Sequence, residues 1–252
     1  MSGGVDISRF ATGVYAKKGV LKMTGGSVKG FTEYGVMVGE GVESASLMGT
    51  TITGDGKGTG VMMMGGDVML NMVNILKVKT GVRVEKGMLK ILEGSVTEFT
   101  GTGVMVGSEV KSASLMGTTI TGDGKGTGVM MMGGDVMLNM VNISRVKTGV
   151  YAEKGTLIMN QGSVTDFASY GVMVGDGVKS ASLMGVEITG KDSGDSYGVY
   201  AMGGDVTLNM VMISQVEMGV YARKGVLKME GGSVTEFTKT GVIPVMCHTD
   251  LN

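Results

Sequence analysis

One set of Gly-Val dipeptides recurs in step along almost the whole chain, and this periodicity limits the possible folds more than any other feature. The set runs from Gly13 to Gly241, and neighbouring members are 21 to 27 residues apart. The intervals follow a three-part order of 22, 25 and 21 residues, so a unit of 68 residues repeats, lengthened to 70 in its third copy. Residues 44–75 are identical to residues 112–143. Such repetition is typical of a solenoid, in which each turn buries its apolar edge against its neighbours.

Within each turn, short alternating apolar runs are separated by glycines or polar residues. Residues 20–23 form such a run, and Gly25 and Gly26 follow it. This alternation predicts half-buried strands, and glycine supplies the positive φ of tight corners. A helix is disfavoured, because each interior glycine would cost about 1 kcal/mol. Three strands and three corners per repeat interval match one coil of a parallel β-helix, and the six-residue period of the left-handed form is missing. We therefore predict an all-β fold, a right-handed parallel β-helix (β-solenoid) of about ten coils of 21–27 residues.

The repeat also predicts the domain organisation. Residues 1–243 are expected to form a single β-helix domain of three units, 13–80, 81–148 and 149–218, with partial units at both ends. Residues 244–252 are expected to be an irregular tail, which holds Pro244, Cys247 and His248. Because the pattern is under way at Val5 and breaks off after Ile243, we expect a fragment whose open β-helix ends favour self-association.

Stacking the coils on the Gly-Val frame predicts the core. The valine and the residue two positions later are apolar in every complete coil, so both columns are expected to point inward. One leucine per coil is expected to form a second wall, at Leu21, Leu47, Leu70, Leu89, Leu115, Leu138, Leu157, Leu183, Leu208 and Leu227. β-Branched residues are expected to form a third, at Val28, Ile52, Ile75, Val96, Ile120, Ile143, Val164, Ile188, Ile213 and Val234. Each buried valine or leucine contributes about 1.5–3 kcal/mol, so these columns should dominate stability.

The position between the two inward columns is expected to point outward and to form a stripe of large side chains. Exposed apolar patches often mark interaction sites, and methionine suits adaptable contacts. Mutual shielding of stacked side chains is the alternative explanation. The possible partner-contact residues are Tyr15, Met37, Met62, Arg83, Met105, Met130, Tyr151, Met173, Tyr200 and Tyr221.

Charge and motif content argue against several functional classes. The 22 lysines and arginines are scattered among 23 acids, so no basic surface is expected for nucleic acid. The apolar run at residues 61–64 is far shorter than the roughly 20 residues of a membrane helix, so we expect no membrane insertion by this chain. Residues 54–59 lack the order of a phosphate loop, and the Gly-Gly-Asp turns recur only every third coil, about 14 Å apart. We therefore expect no cofactor, no metal site and no catalytic residue.

Four sequence motifs resemble passenger domains of bacterial autotransporters, above all the inducible autotransporters of Bartonella. They are Thr-Gly-Val-Tyr-Ala at 12–16, Gly-Gly-Ser-Val at 25–28, Thr-Ile-Thr-Gly at 51–54, and the run from Gly171 to Val178. The resemblance covers nearly all of residues 5–243. It implies a right-handed parallel β-helix that is displayed on the cell surface or secreted and contacts host cells. The start of this chain lacks the basic and apolar pattern of a signal peptide, so we expect export only as part of a full autotransporter.

These expectations combine into one functional hypothesis with two alternatives. The favoured hypothesis is a non-enzymatic passenger fragment that mediates adhesion to, or interaction with, a host-cell surface protein or glycan. A β-helical polysaccharide lyase or hydrolase is the first alternative. A glycosidase needs two carboxyl groups roughly 5–10 Å apart. Matching acids such as Glu85 and Glu153 lie three coils apart, which argues against this alternative. The second alternative is an orphan repeat fragment without independent activity.

Overall fold

The computed structural model describes residues 4–191, 195–245 and 247–251, the last segment as backbone. It is an all-β solenoid of about ten turns, built from parallel strands, as the sequence predicts. The strands are β1 Asp6–Ser8, β2 Thr12–Thr24, β3 Ser27–Lys29, β4 Tyr34–Met48, β5 Thr51–Thr53, β6 Thr59–Met63, β7 Asp67–Asn71, β8 Asn74–Leu76, β9 Thr80–Leu92, β10 Ser95–Phe99, β11 Thr102–Met116, β12 Thr119–Gly122, β13 Thr127–Met131, β14 Asp135–Met184, β15 Glu187–Gly190, β16 Tyr197–Ala201, β17 Asp205–Asn209, β18 Met212–Ser214, β19 Val216–Ala222, β20 Gly225–Glu230, β21 Ser233–Val234, β22 Phe237–Pro244 and β23 Cys247–Leu251.

Three parallel ladders run along the solenoid, one for each strand position within a coil. The first ladder joins the Gly-Val strands, so that Val14 pairs with Val36 and Val36 with Val61. The second begins where the residues of β2 after Gly19 pair with β4, and continues through β7, β9 and β11. The third joins β1, β3, β5, β8, β10 and β12. Long strands such as β4 turn a corner and contribute to two ladders.

The core lies between the three ladders and consists of columns of apolar side chains. The valine column of the first ladder is buried from Val14 to Val220, and the column two residues later is buried from Val38 to Ala222. The third-ladder column is buried from Val28 to Ile213. Phe31, Phe99 and Phe167 are fully buried at the corner that follows the third ladder. The phenylalanines at this corner in the first and last coils are exposed instead, Phe10 by 56 % and Phe237 by 43 %.

The predicted leucine wall faces the core, with nine of its ten leucines buried and Leu21 partly buried, but it is not a single column. Leu21 pairs with Ala45, whereas Leu47 pairs with Met23, so the leucines occupy two adjacent inward columns. The physical reason is the length of the corner before the second ladder: β2 turns it in two fewer residues than β4, with register shifts between Ala16 and Lys18 and between Gly19 and Val20. Leucine therefore fills the first inward position in some coils and the second in others.

Close packing between coils explains why glycine precedes valine in each of the regularly spaced Gly-Val dipeptides, whose residues we call the in-step glycines and valines. A Cβ at Gly103 would lie 2.6 Å from the carbonyl oxygen of Gly128 in the next coil and 2.7 Å from Cγ2 of Ile120. None of the in-step glycines has a positive φ, so space and not backbone conformation selects the residue. An added Cβ would lie similarly close to the carbonyl oxygen of the next in-step glycine at Gly13, Gly35, Gly60, Gly81, Gly128, Gly149, Gly171, Gly198 and Gly219.

The corner between the second and third ladders holds at least one left-handed residue in each coil, and a second one at Gly26, Gly94, Gly162 and Gly232. The backbone N–H of Gly49 donates to the carbonyl of Asn71 at 2.9 Å, and that of Met72 donates to Leu92 at 2.9 Å. Stacking of the corners thus continues the hydrogen-bond ladders where the strands end. The column with positive φ is Gly25, Gly49, Met72, Glu93, Gly117, Met140, Gln161, Gly185, Met210 and Gly231.

Pro244 and residues 247–251 form strand where the repeat pattern predicts an irregular tail. β22 extends to Pro244, and the backbone of β23 pairs parallel to β20, with Gly225 opposite Cys247. Pairing along a strand edge uses backbone N–H and C=O groups and not side chains, so the pairing of β23 with β20 needs no repeat motif.

Candidate interaction surface

The outward stripe of Tyr15, Met37, Met62, Arg83, Met105, Met130, Tyr151, Met173, Tyr200 and Tyr221 lies on the outer side of the first ladder; we call it the tyrosine–methionine stripe. Its members pair directly across coils: Tyr15 is opposite Met37, and Met37 is opposite Met62. The same register pairs Met130 with Tyr151 and Tyr200 with Tyr221. Each member lies between two core positions on its own strand, so it points away from the core.

Members of the stripe differ in how much solvent they contact. Tyr15 is 56 % exposed, whereas Met62 is only 7 % exposed between Met37 and Arg83. Arg83 donates from Nε to Glu85 Oε1 at 2.5 Å along its own strand. Stacked side chains therefore shield one another to very different degrees.

Four aromatic rings form a compact tyrosine cluster, made of Tyr170, Tyr197, Tyr200 and Tyr221. The Tyr200 and Tyr221 rings stack with centroids 5.1 Å apart and planes 7° from parallel, and Tyr170 stacks on Tyr197 at 5.5 Å. Tyr197 meets Tyr200 edge to face at 5.0 Å, which joins the two pairs. Sequence reasoning missed Tyr170 and Tyr197, because only the position after each Gly-Val was followed; the triplet Tyr-Gly-Val was the available signal.

Burial and nearby charges modify the acidity of this surface. Burial, and then the neighbouring Tyr170, raises the pKa of the Tyr197 phenol. Burial, followed by the Glu153 and Asp176 carboxylates, raises the pKa of Tyr151. Beside the cluster, a hydrogen bond from Lys239 lowers the pKa of Glu217, and the two side chains form an ion pair. The Tyr197 phenol is therefore neutral at physiological pH, and the Lys239–Glu217 ion pair lies beside the cluster.

The outer sides of the other two ladders have different chemistry. The second ladder carries a shallow concavity of about 470 Å³, floored by Ser44 and Ser46 between Lys22, Met69 and Lys90. The third ladder carries a polar surface in which side chains bond between coils. Examples are Ser95 to Asn74 at 2.8 Å, Ser163 to Asn142 at 3.0 Å, and Thr121 with Ser144 at 3.1 Å.

Aspartates at the corners bond to nearby backbone. Asp55 and Asp123, at equivalent places in two units, each accept the N–H of the lysine two residues later, at 3.1 and 3.0 Å. Asp205 accepts the N–H of Val226 in the next coil at 3.1 Å. Across residues 4–191 and 195–245, no group of three or more histidine, cysteine, aspartate or glutamate side chains could hold a metal ion.

In the part of the chain that the structure describes, no helix has the length and apolar character needed to cross a membrane. No protein-family model, curated protein or solved structure matches this chain.

Proposed function

We propose that this chain is a non-enzymatic β-solenoid of the autotransporter passenger type that contacts a host-cell surface protein or glycan. In a full autotransporter it would be displayed on the cell surface or secreted. The tyrosine–methionine stripe and the tyrosine cluster are the proposed contact surface. The resemblance of the repeat motifs supports the passenger class, and the β-solenoid fold is compatible with it.

The observation that carries the proposal is the tyrosine cluster on the outer side of the first ladder. Tyrosine, methionine and arginine are the residue types enriched at protein interfaces, and the stripe contains no other type. Tyrosine offers a large apolar ring with a polar tip and loses little conformational entropy when bound. Ring contacts between neighbouring coils hold the cluster in place before any partner arrives, which lowers the entropic cost of binding.

Regular repetition of the surfaces supports a scaffold more than a catalyst. A catalytic site needs one unique arrangement of acids or bases, whereas the Asp55 turn recurs at Asp123 with the same hydrogen bond. Release of new reducing ends from a panel of polysaccharides by the purified chain would instead support the lyase or hydrolase alternative.

A binding experiment on intact host cells tests the proposal. Fluorescently labelled chain should bind cells saturably, and Tyr200→Ser/Tyr221→Ser should weaken binding at least tenfold. The matched control, Thr97→Ala/Thr165→Ala, alters the outer side of the third ladder and should bind as the parent does. Cells treated with protease or with glycosidases distinguish a protein partner from a glycan. Equal binding by the two variants, or no saturable binding by the parent, would contradict the proposal.

A further inference from the structure

Among the side chains that the structure describes, the most exposed methionines lie on one side of the solenoid. Ten methionines are 38–58 % exposed, and they lie on the second ladder, at the corner after it, or at the first residue of a third-ladder strand. The methionines of the tyrosine–methionine stripe are buried or half-buried. We call the exposed set the methionine edge; its members are Met48, Met69, Met72, Met88, Met116, Met137, Met140, Met184, Met210 and Met212.

Most of the methionine edge consists of one arrangement that recurs in each repeat unit. In the first unit Met48 lies opposite Asn71 in the next coil. Met69 lies two residues before Asn71 on the same strand, and Met72 follows it at the corner. Neighbouring strands are about 4.8 Å apart and residues two apart about 6.8 Å, so the three methionines border one asparagine. The same positions are occupied by Met116, Met137 and Met140 in the second unit and by Met184, Thr207 and Met210 in the third.

The same segments also carry methionines that solvent hardly reaches. Met63 and Met131 are fully buried, and Met62 is 7 % exposed. Residues 62–72 therefore place thioethers of identical chemistry in two environments, one buried and one in water. A sulfoxide is polar, so it would disrupt a buried site, whereas at an exposed site it stays hydrated. The fold thus separates the methionines that can accept an oxygen without damage from those that cannot.

We propose that the methionine edge is a modification site that reacts with hydrogen peroxide while the solenoid stays folded. A lone pair of the thioether sulfur attacks one peroxide oxygen, so that an S–O bond forms and the O–O bond breaks. The leaving hydroxide takes the proton of the transferred hydroxyl group, and one water molecule is released. Sulfur loses two electrons and becomes a sulfoxide, and the peroxide is reduced to water.

Oxidation would change the chemistry of this side of the solenoid without changing its backbone. In the reduced chain the edge exposes apolar side chains in groups that recur every three coils, about 14 Å apart. Each sulfoxide adds a hydrogen-bond acceptor and makes the side chain polar, so the oxidised chain should bind an apolar chromatography resin less strongly. The inference goes beyond host-cell contact and does not depend on it, because the tyrosine–methionine stripe lies on the first ladder.

Limited treatment of the full chain with hydrogen peroxide tests the proposal, with denaturation, trypsin digestion and tandem mass spectrometry as the readout. Cleavage after residues 57 and 77 releases one peptide that contains Met62, Met63, Met64, Met69 and Met72. Met69 and Met72 should oxidise at least tenfold faster than Met62 and Met63. The equivalent peptide, residues 126–145, should show the same order, and it differs at its last two residues, so the two copies are distinguishable.

Two controls make the result specific to the fold. The same peptides, oxidised after digestion, should show no preference among their methionines. Met69→Leu/Met72→Leu should take up two fewer oxygens than the parent under the limited treatment, whereas Met62→Leu/Met63→Leu should take up as many, because leucine keeps the volume and removes the sulfur.

Two outcomes would overturn the proposal. One is equal oxidation rates for Met62, Met63, Met69 and Met72 in the folded chain. The other is loss of the circular dichroism signal in step with oxidation of Met69 and Met72, which would mean that the edge reacts only as the solenoid unfolds. Saturable cell binding is measured separately, so failure here leaves the proposed function standing.

Discussion

Replacing Gly103 by alanine should destabilise the solenoid far more than a methyl group ordinarily does. The new Cβ would meet the Gly128 carbonyl oxygen at 2.6 Å and Ile120 Cγ2 at 2.7 Å, with Phe99 Cε1 at 3.2 Å. Each of the two shortest contacts must lengthen by about 0.7–0.8 Å to reach the 3.4 Å at which ordinary contact begins. The carbonyl belongs to the next coil, so it can retreat only if two coils separate.

The expected cost follows from packing. Over-filling a close-packed core typically costs about 1–3 kcal/mol, and one of the obstacles at Gly103 is backbone, so we expect about 3 kcal/mol or more. Gly49→Ala is the matched control: a Cβ there has nothing within 4 Å, and its positive φ is also adopted by Met72 and Met140 in the same column. The control should lose only about 1 kcal/mol.

Urea unfolding followed by far-ultraviolet circular dichroism measures both variants. A second replacement, Ile120→Ala, removes the Cγ2 atom that the new Cβ would contact. The double variant Gly103→Ala/Ile120→Ala should therefore lose less free energy of unfolding than the two single variants lose together. Complete rescue is not expected, because the Gly128 carbonyl remains. If Gly103→Ala costs no more than Gly49→Ala, close approach between coils is not what selects these glycines.

Three further predictions, tested with four variants, concern separate parts of the structure and are checked by thermal unfolding. Met140→Gly should stabilise by about 0.5–1 kcal/mol, because φ is +52° there, whereas Met137→Gly, earlier in β14 and without a positive φ, should destabilise. Because the pKa of Tyr197 is raised in the folded state, its contribution to the free energy of unfolding is fully present below the ordinary tyrosine pKa of about 10. That contribution is lost as pH rises through the folded-state pKa, and Tyr197→Phe should lack this loss. Because the pKa of Glu217 is lowered in the folded state, its contribution to the free energy of unfolding is fully present above the ordinary glutamate pKa of about 4.3. That contribution is lost as pH falls through the folded-state pKa, and Glu217→Gln should lack this loss at low pH. Curves that parallel the parent in either pH series would contradict the corresponding assignment.

The sequence predicts the coil count and most of the inward columns because one constraint sets them. The in-step valines must stack to bury their side chains, and their intervals are visible directly, so pairs such as Val104 with Val129 follow without coordinates. The leucine wall shows the limit of this reasoning. Counting residues from each Gly-Val dipeptide does not show how many residues the following corner contains. The corner before Leu21 is shorter than the one before Leu47, so the two leucines lie in different columns.

The candidate site was predictable in outline but not in its details. Alternation fixes which residues of the stripe point outward, but exposure depends on neighbours in other coils. Met62 and Met130 are copies in identical segments, yet Met62 lies beside Arg83 and is buried, whereas Met130 lies beside Tyr151 and is half-buried. The tyrosine cluster depends on ring orientation between coils, which no single-strand pattern encodes.

The distance between spin labels at positions 37 and 173 tests the stacked, in-register solenoid most directly. Met37→Cys and Met173→Cys, in a Cys247→Ser background, place both labels in one outward column, six coils apart. At about 4.8 Å per coil the backbone separation is about 29 Å, and pulsed electron–electron resonance should give one narrow distribution near that value. A broad distribution, or a mean far from six coil spacings, would show that the Gly-Val repeat does not stack in register.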